Sequence, residues 1–275
     1  HDALPILTVS KVYKVRKVKN PLFGDDYWQM NHSEFGMQVE NVGSFYACNG
    51  NEVEFSVIPG VTEESVQLYL SGSVYGAILH QRKILPMHGS SFLFQESGIM
   101  LSGGSGAGKS ALTAAFTLNG STFLTDDVTP VVFINDIPVI LPLSDRIKLW
   151  GDTLDQFGIG TDSLKEVYPA AEKYYYMIGE RTDRKFPLKI VYILDVHNNN
   201  SVDISVLSGS EKFTALHGEI YRREYLEGMP DSEKKYFDQL VKISNSISVF
   251  RISRPRDIKV NDLMTVLKEH METNT

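Results

Sequence analysis

The sequence predicts an α/β fold built around a phosphate-binding loop, with a small β-rich region at its N-terminal end. A glycine-rich motif, Gly103–Ser110, lies between an apolar segment and a segment of helix-forming residues, which is the order of strand, loop and helix that phosphate binding requires. Further along the chain, strand-like and helix-like segments are mixed, as they are in α/β domains. We therefore expect a β-rich region over residues 1–80 and a catalytic domain over residues 81–275.

The composition is that of an ordinary folded protein. Of the 275 residues, 42% are apolar and 22% are charged, and no run approaches the roughly 18 apolar residues of a membrane helix. Cys48 is the only cysteine, so an intramolecular disulfide is excluded and a cysteine-ligated zinc site is not expected. The net charge of −7 gives no general attraction to nucleic acid or anionic lipid. We expect a cytoplasmic protein with neither nucleic acid nor membrane as a partner.

The N-terminal region reads as short extended segments separated by turn-forming residues, from Leu7 to about Val57. Within it, Val9–Val18 alternates apolar and basic residues imperfectly. This pattern favours a solvent-exposed edge strand protected by lysines over a basic surface that captures an acidic substrate. The region could recognise a leader peptide, dock a partner or complete the core. A helix is predicted over Glu63–Gln81, although its two internal glycines weaken that prediction.

The remaining elements follow from short apolar runs and helical periodicity. Strands are predicted at Gly98–Ser102, Thr122–Leu124, Val131–Ile134, Pro138–Leu141, Leu188–Leu194 and Ile247–Ile252. Helices are predicted at Lys109–Leu118, Asp152–Phe157, Ser210–Tyr221, Ser232–Ser244 and Val260–Met271. Between Gly151 and Pro187 lies a polar, tyrosine-rich stretch, for which a substrate lid and a helical excursion with core-packed tyrosines are equally consistent.

The motif carries the chemistry of triphosphate binding. Glycines let successive backbone N–H groups face an anion, and the helix that follows adds the positive end of its dipole. Lys109 is expected to neutralise the β- and γ-phosphates, and the Ser110 hydroxyl is expected to bind Mg²⁺. The predicted ligands are therefore ATP and Mg²⁺. The candidate nucleotide-binding residues are Gly103, Gly104, Ser105, Gly106, Ala107, Gly108, Lys109, Ser110 and Ala111.

Two adjacent acids, Asp126 and Asp127, follow the strand predicted after the loop and its helix. A carboxylate at the carboxyl end of a strand can orient Mg²⁺ or its waters, and a second one can accept a proton from an attacking hydroxyl. An Asx turn that simply ends the strand is the structural alternative. The residues alone do not assign the two roles between the two acids.

The order of these motifs resembles the C-terminal catalytic domain of the bacterial HPr kinase/phosphorylase. Met87-His88-Gly89 precedes the loop, and Asp126-Asp127 follows it after a strand, so that the resemblance spans residues 87–127. It implies an HPr kinase/PEP carboxykinase-like core. It also implies Asp126 as the general base toward a serine hydroxyl, His88 as a residue that positions or tunes this base, and Asp127 on the metal side.

The resemblance is incomplete. No counterpart of the family's Glu-x-Arg-Gly segment follows the acids, and the N-terminal region is shorter than the family's regulatory domain, so HPr itself is not the expected substrate. Segments Asp145–Trp150 and Phe186–Leu188 are instead similar to compact HPr kinase-like proteins of peptide-modification systems. Among these are lasso-peptide kinases, which phosphorylate the C-terminal serine of a precursor peptide. Proteins of the resembled family form hexamers, so the resemblance is also consistent with a homo-oligomer.

The leading interpretation is an ATP-dependent serine kinase that acts on a peptide or small protein. Arg146, Lys148, Arg181 and Arg184 are candidates to hold the transferring phosphate or a substrate carboxylate. The arginines are favoured because guanidinium groups present paired donors, and ordinary surface charge is the alternative for each residue. Two other functions stay open: a kinase for a small molecule such as free serine, and a nucleotide-dependent switch that regulates a partner.

Overall fold

The computed structural model is a mixed α/β structure, the fold class that the sequence predicts. It describes residues 6–142, 144–179, 182 and 184–274. Those residues form three β-sheets with helices packed against them. Among the helices of the described residues, none combines the length and the apolar character required to cross a membrane.

The chain forms two compact units. The first comprises the residues up to Pro86 together with Tyr221–Gln239, and the second comprises Met87–Ile220 and the residues from Leu240 onward. The sequence-based division at residue 80 placed residues 221–239 in the catalytic domain, whereas the contacts group them with the first unit. Buried hydrogen bonds from this segment to residues near the boundary account for the difference.

The first unit is built on a six-stranded sheet. Its strands are β1 (Thr8–Lys11), β2 (Phe23–Gly24), β3 (Trp28–Met30), β4 (Glu34–Val39), β5 (Gly43–Cys48) and β6 (Glu52–Val57). They lie in the order β1-β6-β5-β4-β3-β2, with β1 parallel to β6 and the other pairs antiparallel. Strand β1 lies at the end of the sheet and all four of its residues are exposed, so an edge strand is confirmed in this segment. It is shorter than the predicted Val9–Val18, and of the basic residues in that segment it contains only Lys11.

Helices pack against this sheet through one apolar cluster. They are α1 (Glu63–Tyr69), a π-helical turn (Leu70–Val74), α2 (Tyr75–Gln81) and a 3-10 turn (Arg223–Glu227). The predicted helix is confirmed, with the π-helical turn inserted into it. Packing explains one of the two glycines in this helix. A Cβ at Gly76 would lie 2.9 Å from the ring of Tyr221, so only glycine lets this ring pack on the helix.

Apart from residues 85–86 and 230–239, which belong to the first unit, the remaining elements lie in the second unit. Its strands are β7 (Leu85–Phe94), β8 (Ser97–Gly103), β9 (Thr122–Thr125), β10 (Val128–Ile134), β11 (Ile137–Ile140), β12 (Arg146–Trp150), β13 (Lys165–Glu166), β14 (Lys173–Met177), β15 (Phe186–His197), β16 (Asp203–Val206) and β17 (Ser248–Pro255). The helices that follow in the chain are α3 (Lys109–Leu118), α4 (Gly151–Gln156), α5 (Gly209–Gly218), α6 (Pro230–Ser246) and α7 (Val260–Asn274).

Eight of these strands form one mixed sheet with the order β11-β10-β7-β8-β15-β17-β16, in which β9 pairs with β7. Strands β8, β15 and β17 are parallel to one another. Helices α3 and α7 contribute Leu112, Phe116 and Leu267 to the core that these strands share. Because the three parallel strands run in one direction, their carboxyl ends meet at the same edge of the sheet, where ligands of α/β proteins bind.

After α4, the described part of the tyrosine-rich stretch is extended and not helical, although two of its tyrosines pack on the core as the helical alternative expected. The substrate lid stays a prediction. Strands β12, β14 and β13 form a three-stranded antiparallel sheet. Tyr174 and Tyr176 face the core formed by Ile147 and Leu149, whereas Tyr175 faces the other way. Apolar and polar residues alternate in β12 with a period of two, which is typical of a strand. This alternation indicates the sheet, whereas the length of the tyrosine-rich stretch does not.

His80 in the first unit is fully buried in its neutral form. Its exposed fraction is 0%, and its ring lies between Tyr225 and Tyr236, with centroid distances of 5.8 and 5.6 Å. Nε2 lies 2.8 Å from the carbonyl oxygen of Tyr221, so this nitrogen carries the proton. Burial lowers the pKa of His80 to about 4, although the bond to the carbonyl opposes the shift.

Acid should therefore destabilise the protein through His80. The unfolded chain binds a proton at this residue below about pH 6.5, whereas the folded protein does so only near its lowered pKa of about 4. Between about pH 7.5 and pH 5, the free energy of unfolding should fall by about 2 kcal/mol from this residue alone. The variant His80→Gln keeps a donor but does not titrate, so we expect its pH dependence to be flatter by that amount in urea denaturation.

The control is His32→Gln, which makes the same substitution at a histidine whose side chain is 57% exposed. An equally steep pH dependence in His80→Gln and wild type would contradict a neutral, buried His80.

Candidate active site

The glycine motif forms a loop between β8 and α3, as the sequence predicts. Gly103 ends β8 with a φ of +124°, and a Cβ there would lie 2.3 Å from the carbonyl oxygen of Leu194 on the parallel neighbour β15. Gly108 is the N-cap of α3, also with a positive φ, and has no side chain to occupy the first-turn N–H groups. These groups are available to an anion at the helix N-terminus.

The Lys109 side chain folds back over the loop. Its Nζ donates to the carbonyl oxygens of Gly103 and Gly104 at 2.7 and 3.1 Å. Burial lowers the pKa of Lys109, and nearby carboxylates oppose the shift. No carboxylate binds the ammonium directly in the described structure, so it remains a cation held only by neutral acceptors, which a phosphate can replace.

Ser110 and Asp126 form a second part of the site. The Ser110 hydroxyl donates to Oδ1 of Asp126 at 2.6 Å, and the backbone N–H of Lys148 donates to Oδ2 at 2.9 Å. The resemblance implied Asp127 as the metal-side acid, but the structure places Asp126, and not Asp127, against the serine expected to bind Mg²⁺.

Asp127 points to a different set of partners. The N–H of Val128 donates to the carbonyl oxygen of Asp126 at 2.9 Å, and Asp127 between them has a φ of +70°. The two acids therefore lie in a γ-turn with Asp127 at its centre. Lys148 Nζ lies 2.9 Å from one Asp127 carboxylate oxygen, and His88 Nε2 lies 3.9 Å from the other. The strained turn therefore directs two adjacent carboxylates to two different places.

The charges around Asp127 keep it ionised. Burial disfavours its carboxylate, but the charge and hydrogen bond of Lys148 and the charge of His88 outweigh burial, so the pKa of Asp127 lies below its ordinary value. Burial likewise disfavours the Lys148 ammonium, and the two carboxylates outweigh it and raise the pKa of Lys148. The pair is thus a carboxylate and an ammonium at neutral pH.

Three residues that the sequence analysis did not select belong to this site. Arg254, near the end of β17, donates from Nε to the carbonyl of Ala107 at 2.9 Å and from Nη2 to that of Gly106 at 3.3 Å. Glu219 accepts from the Ser102 hydroxyl at 2.6 Å. The charge of Lys173 helps to lower the pKa of Asp127. The position of Arg254 shortly after a predicted strand could have identified it as a site residue from the sequence. No feature of the sequence identifies Glu219 or Lys173 in this way.

The other predicted cations lie in different places. Arg146 is on β12, with its guanidinium 4.3 Å from the ring centroid of Tyr175. Arg184 lies 3.7 Å from Glu96, just before the start of β8. The loop is at the other end of this strand, so the structure does not bring Arg184 to the loop. Arg181 lies outside the described residues.

The residues present fit a magnesium ion that is shared with phosphates. Among the described residues, no group of three or more His, Cys, Asp or Glu side chains is arranged to hold a metal ion by itself. Mg²⁺ commonly takes one or two protein oxygens and completes its shell with phosphate oxygens and waters. The Ser110 hydroxyl and the Asp126 carboxylate supply a donor set of that kind.

Comparisons with known proteins leave the family open. No protein-family model matches the chain, and no curated protein sequence does either. Among solved structures, the HPr(Ser) kinase/phosphatase from Coxiella burnetii is similar in part. The aligned residues are 13% identical, they cover 68% of this chain and 97% of that chain, and the TM-score is 0.35. Values this low establish neither a shared fold nor a shared activity.

Arg254 should stabilise the anion-binding form of the loop. In Arg254→Met, two loop carbonyls lose their donors and the site loses one positive charge. We expect the dissociation constant for Mg-ATP to rise about tenfold, equivalent to about 1.4 kcal/mol. Isothermal titration calorimetry measures it, with Arg256→Met, which removes the neighbouring exposed arginine, as the control. Equal affinities of Arg254→Met and wild type would show that this arginine does not support the loop.

Proposed function

We propose that the protein is an ATP- and Mg²⁺-dependent serine kinase with an HPr kinase-like core. The observation that carries the proposal is the convergence of Lys109 and Ser110 with Asp126 and Asp127 at the carboxyl edge of the parallel strands. The sequence resemblance over residues 87–127 supports the same reaction class. Catalysis of phosphoryl transfer depends mostly on positioning and on charge neutralisation, and the site supplies groups for both.

The loop would hold the nucleotide. Backbone N–H groups at the start of α3 would face the phosphates, and Lys109 would exchange its carbonyl acceptors for phosphate oxygens. Ser110 and Asp126 would hold Mg²⁺, which supplies neutralisation of the phosphate charge when bound. Arg254 would keep the loop carbonyls turned away from the anion.

Asp127 is the better candidate for the proton acceptor. In the transfer step, the serine oxygen of the acceptor forms a bond to the γ-phosphorus while the bond from this phosphorus to the bridging oxygen of ADP breaks. The hydroxyl proton passes to the Asp127 carboxylate, which the ammonium of Lys148 holds in place at 2.9 Å. Asp126 is occupied on both of its oxygens, by Ser110 and by a backbone N–H, and is less free to take this role.

The acceptor is proposed to be a serine of a peptide or small protein. The resemblance to compact kinases of peptide-modification systems supports this choice and extends it to the C-terminal serine of a lasso precursor peptide. A kinase that acts on free serine would use the same site for the transfer step. The two acceptors are separated by the products that mass spectrometry detects when each is supplied with ATP.

Substitution of each acid should give a different kinetic defect. Asp127→Asn removes the proton acceptor, so we expect kcat to fall by on the order of 10²–10³ while the affinity for Mg-ATP stays within about threefold. Asp126→Asn removes the metal-side oxygen, so the concentration of Mg²⁺ needed for half-maximal ATP binding should rise about tenfold. Phosphate transfer is measured by mass spectrometry of serine peptides, and ATP binding by calorimetry at a series of Mg²⁺ concentrations.

Asp155→Asn is a charge-matched control on an exposed position of α4 and should behave as wild type in both assays. The assignment of the two acids is reversed if Asp126→Asn loses transfer with an unchanged Mg²⁺ requirement. Binding of ATP with no transfer to any peptide or to free serine would contradict the kinase and favour a nucleotide-dependent switch.

A further inference from the structure

The three-stranded sheet β12-β14-β13 carries a face that is basic and aromatic. Residues that pair directly across antiparallel strands lie on the same face, and alternate residues of one strand do so as well. The register therefore places seven side chains on one face, called the basic face below: Arg146, Lys148, Trp150, Lys165, Lys173, Tyr175 and Met177. The opposite face of the same strands is apolar and packs in the core.

Aromatic rings hold two cations of the basic face. The Arg146 guanidinium lies 4.3 Å from the ring centroid of Tyr175, and Lys173 Nζ lies 5.2 Å from that of Trp150. Such contacts fix a cation but leave its charge unneutralised. Within the part of the chain that the structure describes, neither Arg146 nor Lys173 has a carboxylate partner. Trp150 is 47% exposed and Met177 is 61% exposed, so the face is open to solvent at these two positions, whereas the Lys148 side chain at its middle is only 16% exposed.

The basic face adjoins the candidate reaction centre. Lys148, at its middle, is the residue whose ammonium binds Asp127 at 2.9 Å and whose backbone N–H binds Asp126. Lys173 also acts on Asp127, since its charge contributes to the lowered pKa of that acid. The chain as a whole has a net charge of −7, whereas the strand positions on this face carry four cations and no carboxylate. The face is therefore complementary to an acidic ligand that reaches Asp127.

We propose that the basic face binds an acidic peptide segment that presents the acceptor serine to Asp127. Arg146 lies at one end of β12 and Lys173 pairs with Trp150 at the other end, so the two cations flank Lys148. Four residues of an extended strand span about 13 Å. An extended peptide whose serine lies over Lys148 would therefore bring acids located two residues before and two residues after the serine to these cations. This assignment deepens the proposed kinase function and rests on it.

A binding experiment without ATP tests the face directly. The probe is a fluorescein-labelled peptide of about nine residues with a central serine and an aspartate two residues to each side, and fluorescence anisotropy follows its binding. We expect Arg146→Gln/Lys173→Gln to weaken binding at least about tenfold, because two charge-assisted contacts are lost. Lys185→Gln/Lys189→Gln removes the same charge from two exposed lysines near the start of β15 and should bind as wild type does.

A matched peptide with asparagines in place of the aspartates should bind at least about tenfold more weakly to the wild type. Equal binding of the two peptides, or equal binding of the aspartate peptide by Arg146→Gln/Lys173→Gln and wild type, would overturn the proposal. A loss of Mg-ATP affinity in that variant, with peptide binding retained, would overturn it as well by assigning the face to the nucleotide.

Failure of this inference is distinguishable from failure of the kinase. If the acidic peptide binds the basic face but receives no phosphate when Mg-ATP is added, the docking surface stands and the kinase function fails. If serine peptides are phosphorylated at equal rates with and without flanking aspartates, the kinase function stands and the docking proposal is overturned.

Discussion

The parallel alignment of β8 with β15 is the constraint on which the candidate site depends. It brings the end of β8 so close to the backbone of Leu194 that only glycine fits at position 103, and the chain must turn there into the loop. The parallel strand β17 ends at the same edge and brings Arg254 to the loop carbonyls. Sheet topology thus fixes both the position of the Gly103–Ser110 loop and that of the arginine that binds its carbonyl oxygens.

Two neighbouring acids have different partners because the backbone between them forms a strained turn. The γ-turn at Asp127 turns one carboxylate toward Ser110 and the other toward Lys148. The residues on either side of the turn then set the electrostatics, since Asp126 lies with Ser110 and Asp127 with Lys148 and His88. This division is the physical reason for the proposal that Asp126 holds the metal and Asp127 accepts the proton, the reverse of what the family resemblance implied.

The sequence predicted those parts that local signals determine. The loop, helix α3 and the acids after β9 each follow from a motif or a short apolar run, and the edge position of β1 follows from the basic residues in and after it. The three-stranded sheet was missed because its long tyrosine-rich connection obscured the alternation within β12. Glu219 and Arg254 lie more than a hundred positions from the loop in sequence, so only the fold brings them to it. Arg184 and Glu96 precede β15 and β8, so their contact likewise depends on how these two strands pair.

The central claim is that the Gly103–Ser110 loop binds the phosphates of ATP, and calorimetric titration with ATP in excess Mg²⁺ tests it most directly. Lys109→Met is the informative variant, because it removes the ammonium that the loop carbonyls hold. The account predicts saturable binding by the wild type and an affinity at least about tenfold lower in the variant. Absence of ATP binding by the wild type, or equal binding by both proteins, would contradict it.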